Sequence, residues 1–242
     1  INKLNFKVNN NTNIIHGFYL SKSSNIPRYD RLTLYDDNFI PKYSEWYYGP
    51  NYFLMNKIQL NNFSKTKYFD AFRLIISHQK VKESRHDRKF KNDYLNNRNE
   101  NVSVTAINFD FDKKNKKSET FYGFESIYNN VNSEANRINI VNNSKENIST
   151  RYPGNGTNFY SNSIYISNKR KLGQIFTNIG LRASNNRLKS ILSNDFYDFP
   201  FDEIDIKTSS FSGNIGFRYN YKNSSFKFQY SNGFRSPNLD DV

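Results

Sequence analysis

The stretch Gln229-Tyr-Ser-Asn-Gly-Phe-Arg-Ser-Pro-Asn-Leu-Asp-Asp-Val242, read with the residues just before it, decides the fold. Phe226, Phe228 and Tyr230 alternate there with Lys227, Gln229 and Ser231. Side chains of an extended chain point to opposite faces in turn, so this period of two makes a strand with one aromatic and one polar face. Gly233 and Pro237 then end regular pairing, because glycine weakens a strand and proline removes a ladder donor.

Working back towards residue 1, the same alternation recurs. One parity carries Leu4, Phe6 and Val8, then His16, Phe18 and Leu20, then Tyr52, Leu54, Ile58 and Leu60 in a strand resuming at Trp46. It continues with Phe72, Leu74 and Ile76, with Ile107, Phe109 and Phe111, and with Tyr122, Phe124 and Tyr128. Ile164 and Ile166, then Ile175, Ile179 and Leu181, then Phe211, Ile215, Phe217 and Tyr219 complete the series. Val102 and Val104 break the pattern at the upper end of their strand. Arg73, Glu125, Arg182, Arg218 and Lys227 all take the opposite parity.

The connections alternate in length. Short turns near 9–13, 64–67, 113–117, 169–171 and 222–224 are interleaved with long polar segments near 22–45, 81–100, 130–157 and 184–204. About ten antiparallel strands with short turns on one rim and long loops on the other are the rhythm of a transmembrane up-and-down β-barrel. A sandwich would have loops of similar length at both ends, and no fixed-period repeat marks a solenoid or propeller.

Composition agrees. Mean hydropathy is −0.85 and no apolar run of about 18 residues exists, so helical spans are excluded. Yet aromatics make up 17% of the 242 residues, which argues against disorder and suits a barrel with aromatic girdles. There is no cysteine, hence no disulfide and no thiolate metal site. The net charge of +13 is scattered over turns, loops and one strand face, not gathered into a stripe, so no nucleic-acid partner is expected. Ile1 opens inside a strand pattern without an initiator Met or signal peptide, and Val242 follows a loop motif, so the chain reads as an internal piece of something larger.

The aromatic strand running into Gly233-Phe-Arg-Ser-Pro-Asn-Leu-Asp-Asp241 resembles the Phe-Arg-Ala-Pro region in barrels of TonB-dependent outer-membrane receptors. Asn25-Ile-Pro-Arg-Tyr-Asp-Arg-Leu32, Glu45-Trp-Tyr-Tyr-Gly-Pro-Asn51 and His78-Gln-Lys-Val-Lys-Glu-Ser-Arg85 resemble segments of the haem, haemoglobin and transferrin type of that family. The resemblance implies part of one 22-stranded barrel domain in the bacterial outer membrane, with the plug and remaining strands absent. It implies a function too: binding and importing an iron source, as haem or from a carrier protein, with the TonB complex acting through the absent plug. Alternatives are a siderophore, another metal chelate or a vitamin as cargo. From a different class comes a non-transporting adhesin or lectin-like β protein.

Candidate cargo contacts are the loop residues His86, Arg85, Arg88, Arg28, Tyr29 and Arg31. His86 is the histidine placed to meet haem, as a neutral imidazole ligand, whereas His16 and His78 share the aromatic parity and read as girdle residues. Phe234, Arg235, Ser236, Pro237, Asn238 and Asp240 are read as family-motif residues that knit the barrel rim. The carboxylates Asp195, Asp198, Asp202 and Glu203 lack calcium-loop spacing and read as a solvated loop. No Gly-x-Ser-x-Gly, P-loop or His-Glu-x-x-His motif occurs, so no enzymatic activity and no intrinsic cofactor are expected.

Overall fold

A computed structural model describes residues 1–241; Val242, the last residue of the deciding stretch, lies outside the described residues. The chain forms one open antiparallel sheet, a section of barrel wall. Ten strands follow one another along it: β1 (Asn2–Asn9), β2 (Thr12–Lys22), β5 (Tyr52–Asn62), β6 (Ala71–Lys89), β7 (Tyr94–Asn115), β8 (Ser118–Asn139), β10 (Thr157–Leu172), β11 (Ile175–Ile191), β12 (Glu203–Tyr221) and β13 (Ser224–Asn232). Three short strands, β3 (Ile26–Pro27), β4 (Tyr43–Tyr48) and β9 (Lys145–Asn147), pair off this path, and helix is confined to single turns such as α1 (Tyr29–Leu32).

Register converts the period of two into two continuous faces. On the outer face Phe6 meets Ile14, Ile14 meets Leu60, and Leu60 meets Leu74. Leu74 meets Phe109, Phe109 meets Phe124, and Phe124 meets Ile164. Further along, Ile179 meets Ile215 and Ile215 meets Tyr230. Many of these side chains stay exposed, Ile164 by 61% and Tyr230 by 62%, and the rest are half-buried, because nothing in the sheet covers that face.

The opposite face is bound by polar contacts. Arg182 Nη2 donates to Glu125 Oε1 at 2.5 Å, Asn108 Nδ2 donates to Glu125 at 3.2 Å, and Tyr165 donates to Asp110. Arg73, Gln59, Asn61 and Asn13 form a second chain of amide and guanidinium bonds near the short turns. A half-buried charge partnered in this way avoids the desolvation penalty it would meet on the other face.

Several expectations are corrected. The segment 81–100 is not a long loop: β6 and β7 extend through it and leave only residues 90–93 as the connection. Likewise β8 reaches Asn139, and β11 and β12 leave only 192–202 between them. In β6 the extension from Lys82 to Arg88 is polar on both faces, so the backbone ladder continues where the hydropathy signal has stopped. Val102 and Val104 find their place here. On the inner face Val102 lies between Val81 and Val131, in a row that runs on to Thr157 and Ser190. Thr157, Ser190 and Leu188 are at most 2% exposed, so the best-buried part of the molecule lies inside the upper rim.

The strand beginning near Trp46 is two strands, β4 and β5, with Gly49, Pro50 and Asn51 between them. Both pair with β6: Tyr48 opposes Arg85, and Tyr52 opposes Lys82. Three residues on one side thus span two on the other, Glu83 and Ser84, which is a β-bulge. One extra residue reverses parity, so Trp46 and Tyr48 turn to the inner face although Tyr52 stays on the outer one. Buried Ser84 holds the bulge, accepting from Gly49 N at 2.9 Å and donating its N–H to Asn51 Oδ1 at 3.2 Å.

Gly49 sits at φ +90, and an added Cβ would stand 2.6 Å from the Ser24 carbonyl oxygen. Gly49→Ala should therefore destabilise the protein by about 1–3 kcal/mol through backbone strain and overlap. Gly173→Ala, at φ +61 with nothing within 4 Å, should cost less, about 1 kcal/mol. Denaturant unfolding of both variants checks this, and equal losses would remove the bulge from the argument.

Candidate functional site

The bulge and the short β3 strand assemble a cluster on the inner face near the upper rim. β3 pairs with β4, Ile26 with Tyr48 and Pro27 with Tyr47, which brings Arg28 onto the turned aromatic pair. Trp46 and Tyr48 meet edge to face with centroids 4.9 Å apart. The Arg28 guanidinium lies 5.2 Å from the Trp46 ring and 5.3 Å from the Tyr48 ring, and donates to Tyr48 Oη at 2.9 Å. Arg85 approaches the same rings, at 5.9 and 5.5 Å. Cations over aromatic faces are attracted by the ring quadrupole.

The two arginines differ in charge balance. Arg28 is neutralised by a fork to Asp30, at 2.7 and 2.6 Å, and these bonds hold the Asp30 carboxyl below the usual carboxylate range. Arg85 makes no ion pair among the described residues, and its Nε is buried without a partner. Arg85 lines a small hollow with Glu83, Arg98, Glu100 and Arg151. Arg98 is paired to Asp87 at 2.9 Å, whereas Glu100 keeps one carboxylate oxygen buried and unpartnered. Burial pushes the Glu100 carboxyl up, opposed by a hydrogen bond to Ser133 and by Arg151.

The C-terminal motif closes over this region. Ser236 bonds Thr208 on β12 at 3.1 Å, and Asp240 accepts from Tyr152 Oη at 2.7 Å and pairs with Arg151 at 3.5 Å. Burial, then this bond to Asp240, pushes the Tyr152 hydroxyl up to about 12. Tyr152 reaches back to Ser133 on β8 through its N–H. Asp240 thereby ties the end of the described chain to the segment between β8 and β10. Pro237 and Leu239 are half-buried, while Phe234, Arg235 and Asn238 are exposed.

The expected cargo residues are divided by the fold. Arg28 and Arg85 come together as described; Tyr29 and Arg31 lie on α1, exposed, beside them. His86 and Arg88 lie on β6, not in a loop, and turn to the outer face. The His86 ring stacks on Tyr47 at 4.6 Å, Nδ1 is 2.6 Å from Asn97 Oδ1, and Nε2 is enclosed without a partner. That setting is a packed aromatic contact, turned away from the inner cluster. Arg88 is paired to Glu45 at 2.7 Å. His16 and His78 do share the outer face with the aromatics, opposite Ile58 and Thr105. Glu203 pairs with Lys189, and among the described residues no three His, Asp or Glu are placed to hold a metal ion.

Trp46, Tyr48, Glu100 and Tyr152 escaped the sequence reading as site residues. Gly-Pro inside an alternating pattern was the available signal, because such an interruption marks a bulge.

The chain is similar in structure to the copper transporter OprC, with TM-score 0.76 and 7% identity over 98% of this chain and 36% of that one. It is similar to the ferric citrate transporter FecA in its unliganded form, with TM-score 0.58 and 10% identity over 94% of this chain and 34% of that one. The chain thus spans about a third of the length of these structures, and at such identities the likeness concerns the fold. No family model and no curated protein matches the sequence.

Because Glu100 is raised by burial, its ionised form is disfavoured in the folded state. The resulting penalty is absent below the unfolded value of 4.5, grows as pH rises above it, and is complete above the raised folded value. Glu100→Gln should therefore raise the unfolding temperature at pH 7 and leave it unchanged near pH 4. Thermal scans at the two pH values check this; a variant less stable at pH 7 would mean that the carboxylate is paired.

Proposed function

We propose that this chain is part of the barrel wall of a TonB-dependent outer-membrane receptor that binds and imports an iron source presented as an anionic complex, a ferric chelate or haem. The observation carrying the membrane placement is the outer face: an uninterrupted, exposed apolar belt from β1 to β13, backed by a charged and hydrogen-bonded inner face. Hydrocarbon penalises a mid-depth Arg or Lys by roughly 2–4 kcal/mol, and the described sheet keeps Arg73, Arg182, Arg218 and Lys227 off that belt. The TonB complex would act through a plug outside residues 1–242.

The cargo reading rests on the inner cluster. Arg85 offers a guanidinium without an ion pair among the described residues beside two aromatic faces, a setting suited to a flat or carboxylate-rich anion. Arg28, already satisfied by Asp30, fixes the ring geometry more than it supplies charge. His86 does not enter this account. If haem is the cargo, its iron would be ligated from elsewhere.

The test is calorimetric titration of the full-length protein in detergent with ferric citrate and with haemin, alongside Arg85→Ala and His86→Ala. Saturable binding of at least one probe is expected, weakened by about 10–100-fold in Arg85→Ala. The haemin Soret band should be unchanged in His86→Ala. Wild-type affinity in Arg85→Ala would remove the cluster from the cargo site. A protein released from outer membranes by a high-salt wash would not be a barrel receptor at all.

A further inference from the structure

On the inner face above the apolar belt, register sets like charges against each other. Glu83 on β6 lies directly opposite Glu100 on β7, and Arg85 lies directly opposite Arg98. Like charges across a ladder repel, and relief comes along the diagonals, where positions are roughly 7–8 Å apart. One diagonal joins Arg85 to Glu100, the other Glu83 to Arg98. Among the described residues neither diagonal is closed by an ion pair. Arg98 turns instead to Asp87 at 2.9 Å, and Arg151, the third arginine on this hollow, turns to Asp240 at 3.5 Å.

Arg85 and Glu100 are thus an inner cation and an inner anion that stand near each other unclosed. Each keeps one buried atom without a partner, Arg85 Nε and Glu100 Oε2, and both residues line the same hollow. Glu100 is only 8% exposed, so water reaches little of it. Buried polar atoms in native structures are nearly always partnered, and two orphans of complementary type in one place call for an explanation.

The groups around Glu100 come from every neighbouring element. Glu83, Arg85 and Asp87 stand on β6, Arg98 on β7 itself, Ser133 on β8, Arg151 and Tyr152 on the following segment, and Asp240 on the C-terminal motif. Asp87 and Asp240 are already engaged by Arg98 and Arg151, and Tyr152, at about 12, keeps its proton at neutral pH. Burial pushes the Glu100 carboxyl up and Glu83 adds to this, while the Ser133 bond, Arg151 and Arg85 favour the ionised form.

We propose that Glu100 is the proton-binding counter-group of the Arg85 anion site, so that an anion taken by Arg85 makes Glu100 bind a proton. The inference deepens the cargo reading given above and rests on it. In the free protein the nearby guanidinium favours the carboxylate. An anion on Arg85 cancels that field, while burial and Glu83 remain, so Glu100 holds a proton more tightly. The coupling is reciprocal: a protonated Glu100 no longer competes for Arg85 and no longer repels the anion. A group that gains proton affinity on loading takes up a proton, so the anion binds more tightly as pH falls. The gain levels off once Glu100 is protonated in the free protein as well. Cancelling a unit charge roughly 7–8 Å away in a partly screened site changes proton affinity by about tenfold.

The test titrates the full-length protein in detergent with ferric citrate and with haemin, in PIPES and in Tris, whose heats of ionisation differ. The difference in heat between the buffers counts the protons taken up. Comparison with Glu100→Gln cancels the probe's own titration. Relative to that variant, wild type should take up an additional fraction of a proton per anion, and its affinity should gain about tenfold between about pH 8 and about pH 5. Glu134→Gln, which removes a carboxylate from the outer face of β8, should match wild type. Equal proton uptake in wild type and Glu100→Gln would overturn the proposal.

A second measurement needs no cargo. Arg85→Ala removes the positive charge that a bound anion would neutralise. The infrared carboxylate band of Glu100, read by difference against the matching Glu100→Gln protein, should then appear at higher pH than in the wild-type background. An unmoved titration also overturns the proposal. Failure of the cargo reading looks different. Wild type would bind neither probe, or Arg85→Ala would bind with full affinity, and this inference would fall with it. Arg85-dependent binding without a Glu100-dependent proton breaks this inference alone.

Discussion

Everything in this wall depends on the continuity of its backbone ladder. Strands of up to 22 residues carry a donor and an acceptor at nearly every position, and each interior strand pairs on both sides. An unpaired, buried peptide group costs free energy comparable to a lost hydrogen bond, so a wall of this kind pairs throughout. Once pairing is fixed, so is the facing of every side chain. A slip of one residue would carry Leu74, Phe109 and Phe124 inward and Arg73, Asp110 and Glu125 outward together.

Register is held from both faces. On the inner face, Arg182 reaches Glu125 and Tyr165 reaches Asp110, contacts that skip strands and would be lost in a shifted pairing. On the outer face, Phe111 stacks on Tyr122 at 5.0 Å, and Phe217 faces Phe228 at 6.5 Å. Aromatic cross-strand pairs of this kind contribute roughly 0.2–1 kcal/mol each. Above the belt the aromatic pairs thin out, and the C-terminal motif contributes instead. By holding Tyr152 and Arg151, Asp240 ties a connecting segment to Ser133 on β8.

How much of this was legible follows from where hydrophobicity was the deciding force. The belt was readable residue by residue, because Phe72, Leu74 and Ile76 against Arg73 admit one assignment of faces. Ten consecutive strands emerged for the same reason. The upper strand extensions were not readable. Glu83 to Arg88 are polar on both faces, so the sequence there resembles a loop although the ladder runs on. The site suffered most. His86 stands out in sequence as an imidazole in a polar segment, but its facing depends on a register that its neighbours do not encode in hydropathy. Arg28 and Arg85 read in sequence as separate loop cations, and only the pairing of β3 with β4 and β4 with β6 brings them together.

The inner cluster therefore owes its existence to a single extra residue. Tyr48 and Tyr52 are four apart and, in an unbroken strand, would share the outer face. There Trp46 and Tyr48 would have extended the aromatic girdle, leaving Arg85 without ring partners. With Gly49, Pro50 and Asn51 opposite Glu83 and Ser84, the ladder resumes one residue out of phase and the same aromatics line the inside. The composition of the strand is still that of a girdle, which is why its facing is misread. The bulge turns aromatics of girdle composition into ring partners for Arg28 and Arg85 without changing a side chain. A positive-φ glycine is needed there because the Ser24 carbonyl already fills the space where a Cβ would stand.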